Sequence, residues 1–122
     1  MFQLSAVSVP VSDQSAARTF YEQVLGFTVR SEGDHGTEFA WILMTPPAGA
    51  AAITLVKPNS RQQAGQAQGL MLQTLDLDRV YEKLAGNGLA LSTVHQANWG
   101  RFATFTDPDG NGWVIAEPSI GL

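Results

Sequence analysis

The chain offers few groups that could do chemistry. Its 122 residues include two histidines and no cysteine, so thiolate nucleophiles, disulfides and cysteine metal sites are excluded. His35 follows Asp34 in the polar stretch 31–37, and His95 opens the polar stretch 95–100. Asp34 could help His35 move a proton, and His95 could serve as a general base toward a suitably placed ligand. The plainer alternative for each is a solvated loop histidine. No serine has an evident base, which leaves covalent catalysis with little support. The aromatic residues suggest recognition instead. Trp99 lies in Gln96-Ala97-Asn98-Trp99-Gly100-Arg101, where a polar surrounding points to a cavity or lid role. Trp41 divides evenly between core packing and ligand contact. Arg101 could orient an anionic group through two parallel hydrogen bonds, or form an ordinary surface ion pair.

The elements that must position these residues belong to one domain, since this length is near the usual size of one. Such a globule buries roughly two-thirds of its unfolded surface and needs no staples. Formal net charge is -4, from 7 basic and 11 acidic residues, with no basic run for a nucleic-acid backbone to meet. The stretch Met1-Phe2-Gln3-Leu4 lacks the basic and apolar regions of a signal peptide, and no segment approaches the roughly 20 apolar residues of a membrane span. The expectation is a soluble cytoplasmic protein with no nucleic-acid or membrane partner.

Along the chain, alternation from Val7 to Val11 predicts a half-buried strand, with Pro10 removing one ladder donor. Ser12 or Asp13 can cap a helix over 14–24, whose apolar stripe runs through Ala17, Phe20, Tyr21 and Val24. Strands follow at 27–30, 38–44 and 52–56, and 57–69 is the most linker-like stretch. The order then repeats: a strand at 70–75, a helix capped by Asp76 or Asp78, and strands at 89–93, 101–106 and 112–116. Val7-Ser8-Val9-Pro10-Val11-Ser12-Asp13 lies over Leu70-Met71-Leu72-Gln73-Thr74-Leu75-Asp76, and Gly26-Phe27 over Gly88-Leu89. Two βαβββ modules, about 4–57 and 69–118, therefore make up one α+β domain over 1–122. Neither module could bury its sheet face alone.

Three stretches carry a resemblance: Val9-Pro10-Val11-Ser12-Asp13, Phe20-Tyr21 through Val24-Leu25-Gly26-Phe27, and Phe105-Thr106-Asp107-Pro108-Asp109-Gly110-Asn111-Gly112-Trp113. The last reads as a turn, with Pro108 pre-setting φ and Gly110 and Asn111 tolerating positive φ. It lacks the later glutamate of a calcium loop. Over nearly its whole length the chain resembles the vicinal oxygen chelate superfamily, which includes glyoxalase I, extradiol dioxygenases, fosfomycin resistance enzymes and bleomycin resistance proteins. The resemblance implies a curved mixed sheet around a concave cavity, with both helices on the convex side, and a homodimer.

In that superfamily a divalent metal usually sits on the concave face. The resemblance places its ligand positions on Ala6, Gly69 and Val114, none of which has a donor side chain. The expectation is no metal and no other cofactor. With Ala6 on the concave face, Ser8 and Pro10 share it, as do Met71, Gln73, Val114 and Ala116, while Val7, Val9, Val11, Leu70, Leu72, Leu75, Trp113 and Ile115 pack behind. The candidate ligand-binding set is Trp41, Met71, Gln73, Trp99, Arg101, Phe102 and Val114, with His95 the one candidate catalytic group. A metal-independent small-molecule binding protein, for a drug or an aromatic metabolite, leads this reading. Its alternatives are a glyoxalase-like lyase or isomerase, and a structural or regulatory homodimer.

Overall fold

The computed structural model describes residues 1–49 and 51–119, so the last three positions of the expected domain lie outside the described residues. The first module runs β1 (Ala6–Pro10), α1 (Gln14–Gln23), β2 (Thr28–Gly33), β3 (Trp41–Thr45) and β4 (Ala52–Val56). The second runs β5 (Leu70–Gln73), α2 (Leu77–Gly86), β6 (His95–Ala97), β7 (Gly100–Thr106) and β8 (Gly112–Pro118). Both are βαβββ, as the repeat requires. Each forms a four-stranded mixed sheet, in the orders β1-β4-β3-β2 and β5-β8-β7-β6. The first and last strands of each module pair in parallel, and the other pairs are antiparallel. The curved sheet is thus assembled from two blocks, with β1 and β5 as outer strands.

Asp13 and Asp76 both cap, accepting from Ala16 N at 3.0 Å and from Arg79 N at 3.2 Å. The stretch 89–93, expected to be a strand, is not one. The Ser92 carbonyl accepts from the Tyr81 hydroxyl at 2.8 Å, and the Ser92 hydroxyl accepts from Thr104 N at 2.9 Å. One ladder bond remains there, Ser92 N donating to the Thr104 carbonyl at 2.9 Å, but the reciprocal positions go to side chains, and regular pairing with β7 begins at His95, inside the stretch expected to be a loop.

One core serves both modules. Val9, Ile42, Met44, Ile53 and Leu55 from the first sheet join Ala103, Phe105, Trp113 and Ile115 from the second, with Tyr21 of α1, Leu25 just after it, and Leu77 and Leu84 of α2. Tyr21 packs against both Phe27 and Trp113, at centroid distances of 5.5 and 5.9 Å. The turn 107–111 locks the modules together. Asn111 Nδ2 donates to the Pro10 carbonyl at 2.9 Å and to Asp107 Oδ2 at 2.8 Å, and Asn111 Oδ1 accepts from Ala67 N at 3.0 Å. The Tyr21 hydroxyl donates to Asp107 Oδ2 at 2.8 Å and accepts from Trp113 Nε1 at 3.1 Å. Burial and the facing Asp107 carboxylate push the Tyr21 phenol far above its ordinary range, so it stays a neutral donor.

Candidate ligand-binding site

Strand registers divide each sheet into two faces. On the first, Val7, Val9, Ile53, Leu55, Ile42 and Met44 turn to the core, and Ser8, Pro10, Thr54, Val56, Leu43 and Trp41 turn away from it. On the second, Leu70, Leu72, Trp113, Ile115, Ala103 and Phe105 turn inward. Its outer rows are Met71–Val114–Thr104 and Gln73–Ala116–Phe102–His95. The alternation read from the sequence therefore holds in both modules, with two exceptions. Val7 is 39% exposed because it stands at an outer strand and lines the cavity between the modules. Leu75, expected in the core, is 94% exposed because β5 ends at Gln73, before it.

The outer face of the second sheet gathers five of the expected contacts: Met71, Gln73, Phe102, Val114 and, from the turn between β6 and β7, Trp99. Trp99 stacks on Phe102 with centroids 5.6 Å apart and planes 13° apart. His95 stacks on the same ring at 5.2 Å and 28°. The Trp99 carbonyl is held by Ser119 N at 2.7 Å, which fixes the turn that carries the indole. These residues form an aromatic shelf, with Trp99 38% and Met71 51% exposed. No Asp, Glu, Lys or Arg belongs to the outer rows of this sheet. His95 thus sits on a strand facing the shelf, and the salt bridges among the described residues give it no carboxylate partner.

Two expected contacts lie elsewhere. Trp41 belongs to the outer face of the first sheet, which points away from the shared core on the other module. Arg101 alternates with Phe102 and so projects to the core side. Its guanidinium meets Glu117 Oε1 at 3.0 Å and Asp78 Oδ1 at 3.2 Å. Glu117 Oε2 also accepts from Leu77 N at 2.7 Å, so the cluster ties β7 and β8 to the start of α2. That backbone hydrogen bond, then Arg101, holds the Glu117 carboxyl below the usual carboxylate range. Arg101 accordingly takes the ion-pair alternative read from its sequence. His35 pairs with Glu32 at 2.9 Å, while Asp34, its expected helper, accepts from Trp41 Nε1 at 3.2 Å.

A cavity of about 420 Å³ opens between the modules, lined by Val7, Phe27, Ile53, Leu70, Leu72 and Trp113, among others, with Met71 at its side. A second hollow of about 500 Å³ lies on the outer face of the first sheet, bordered by Ser8, Phe39, Val56, Lys57 and Asn59. The family metal positions do not fit a metal. Ala6 and Val114 have aliphatic side chains, and Gly69 has φ +75°, a backbone where histidine would be strained. No three His, Asp or Glu side chains converge among the described residues. No helix among those residues is long and apolar enough to cross a membrane.

Paired βαβββ modules with a recessed sheet face define a class of proteins, and comparison with known families names it. Residues 3–115 match the Glyoxalase/Bleomycin resistance protein/Dioxygenase superfamily, and the chain belongs to it. It is 30% identical over 118 residues to the uncharacterized protein YetH of Bacillus subtilis (strain 168), covering 94% of this chain and 98% of that one. Among solved structures it is similar to TnmS3, an antibiotic binding protein from Streptomyces sp. CB03234, with 33% identity, a TM-score of 0.89 and 98% of each chain covered. A glyoxalase/bleomycin resistance protein from the same organism is 32% identical with a TM-score of 0.82, over 93% of this chain and 99% of that one. Small-molecule binding is therefore the general function these relatives support.

Proposed function

We propose that this protein binds a planar, largely uncharged aromatic compound on the shelf formed by Trp99, Phe102 and Met71, and holds it without metal-dependent chemistry. The carrying observation is the near-parallel Trp99–Phe102 stack, open to solvent on a sheet face without formal charge. A flat π-surface lies across such rings in offset stacking, and Gln73 and Thr104 are at hand for one or two hydrogen bonds. Similarity to an antibiotic binding protein supports the same reading. His95 faces the shelf, but a general base is usually oriented by a third group, and none is paired with it among the described residues. A lyase or isomerase role is therefore the weaker reading.

The site is completed by a second copy of the chain. Trp41 and the Trp99 shelf sit on faces that point away from the one shared core, so a single chain does not bring them together. The edge strands β1 and β5 leave Val7 and Met71 exposed along the cavity between the modules, where a second chain covering those edges would bury them. In such a homodimer the first module of one copy covers the second module of the other.

The test is a screen of uncharged planar aromatics followed by intrinsic tryptophan fluorescence. Saturable quenching that disappears in Trp99→Ala, with the compound recovered unchanged, is the expected result. Product formation that persists with chelator and vanishes in His95→Ala would replace binding by catalysis. Sedimentation should give a particle of twice 13.1 kDa, and a monomer at working concentration would remove the two-chain site.

A further inference from the structure

Trp41 is the one aromatic residue on the outer rows of the first sheet, and its ring is held by groups that the core does not need. Its Nε1 donates to Asp34 Oδ2 at 3.2 Å. Gly33 lies opposite it in the β2–β3 register, and a Cβ at Gly33 would fall 2.9 Å from Trp41 Cζ2. The indole therefore rests against bare backbone. Asp34 is the only described non-glycine residue with positive φ, at 54°, a conformation that Asp tolerates better than most. The turn after it is braced. The Thr37 hydroxyl donates to the Asp34 carbonyl at 2.7 Å, and Phe39 N donates to Thr37 Oγ1 at 3.1 Å. Neighbouring charges leave the Asp34 carboxylate to the indole. His35 pairs with Glu32, and Arg18 joins Glu32 and Glu22.

We propose that Asp34 is a positioning residue for ligand recognition: with Gly33 leaving room, it fixes the Trp41 indole flat as a second wall for a planar aromatic ligand. This rests on the reading that the outer faces bind such a compound. A side chain immobilised before binding does not lose that freedom on binding, a difference of about three- to tenfold in affinity.

The experiment uses the full chain labelled with 5-fluorotryptophan, with Trp41→Phe to assign the Trp41 fluorine resonance. Acridone, an uncharged planar fluorophore, is the probe. Asp34→Gly removes the carboxylate while suiting the positive φ, and Asp34→Asn keeps an acceptor. The Trp41 resonance is expected to move toward that of free fluorotryptophan in Asp34→Gly alone, with acridone affinity down about three- to tenfold, while Asp34→Asn stays within about twofold of the parent. Gly33→Ala, which lifts the ring with Asp34 intact, should weaken acridone similarly. An unmoved resonance in Asp34→Gly overturns the positioning role. A moved resonance with unchanged acridone affinity overturns its link to recognition. A parent chain that binds no acridone overturns the binding reading and this proposal together, whatever the fluorine resonance does.

Discussion

Replacing Asn111 with alanine should be among the most destabilising single changes in the chain. The side chain is fully buried and makes three hydrogen bonds, two of them to backbone groups of residues 44 and 101 positions away. Alanine leaves each partner in a different state. Pro10 O still accepts from Gly65 N at 3.3 Å, and Asp107 Oδ2 still accepts from the Tyr21 hydroxyl. Ala67 N is left without its acceptor beneath a surface only 8% exposed. An orphaned buried donor costs about 1–3 kcal/mol, and each of the other two lost bonds about 1 kcal/mol, giving about 3–5 kcal/mol. That is a large share of the ~5–15 kcal/mol of a typical domain. Urea unfolding should be followed by Trp113 fluorescence and far-ultraviolet circular dichroism together. The parent should unfold in one coincident transition, because the turn joins the modules, and Asn111→Ala should move the midpoint sharply down. Ser12→Ala, which removes the exposed 2.6 Å bond to Asp109 in the same turn, should cost less than about 1 kcal/mol. A loss below about 1 kcal/mol in Asn111→Ala, or two separate transitions in the parent, would refute the view of this turn as the lock between modules.

Tyr21→Phe should cost about 1–3 kcal/mol in the same unfolding assay, because Trp113 Nε1 loses its acceptor and Asp107 one donor. Glu117 supplies a pH signature. Its carboxyl is held down in the folded state, so its stabilisation is present above the ordinary carboxylate pKa and lost as pH falls through the lowered one. Between about pH 5 and pH 3 the parent should therefore lose more stability than Glu117→Gln. Arg101→Ala should lower the melting temperature by loosening the start of α2, yet leave acridone affinity within about twofold, since the guanidinium projects away from the shelf. Trp99→Ala should do the reverse, abolishing the fluorescence response to acridone with little change in melting temperature.

The sequence was most legible where information is local. Each helix begins at an aspartate that caps it, and the repeat placed both modules in order. Strict alternation assigned Val9 and Val11 to the core and Met71, Gln73 and Val114 to the outer face. What escaped was long-range. The turn motif was read as a turn, but its Asn111 reaches Pro10 and Ala67, and no spacing rule links those positions. Arg101 looked available for a ligand because its partners, Asp78 and Glu117, belong to a different helix and strand. The stretch 89–93 has strand-like composition, yet it keeps one ladder bond, from Ser92 N to the Thr104 carbonyl, while the Tyr81 and Ser92 hydroxyls take the positions beside it, and regular pairing shifts to a polar segment beginning with His95. Trp41, divided evenly between core packing and ligand contact, lies on the outer face of the first sheet, on the opposite module from the other candidates.

The donor-poor metal positions and the charge-free shelf bear on one question. Electrostatic catalysis requires fixed charges or dipoles aimed at the place where charge develops in the transition state. The outer rows of the second sheet and the turn beside them supply aliphatic groups, the stacked rings of Trp99, Phe102 and His95, an amide and hydroxyls, and the Arg101 guanidinium pairs with Glu117 and Asp78 behind the sheet. On the proposed reading, such a surface would hold a planar ligand about equally before and after a bond rearrangement. Uniform binding of that kind raises affinity without lowering a chemical barrier. On the proposed binding reading, selectivity on this face comes from shape and stacking area. Substituting Val114 or Met71 with a larger aliphatic residue should accordingly change which planar compounds bind before it changes how tightly the best of them does.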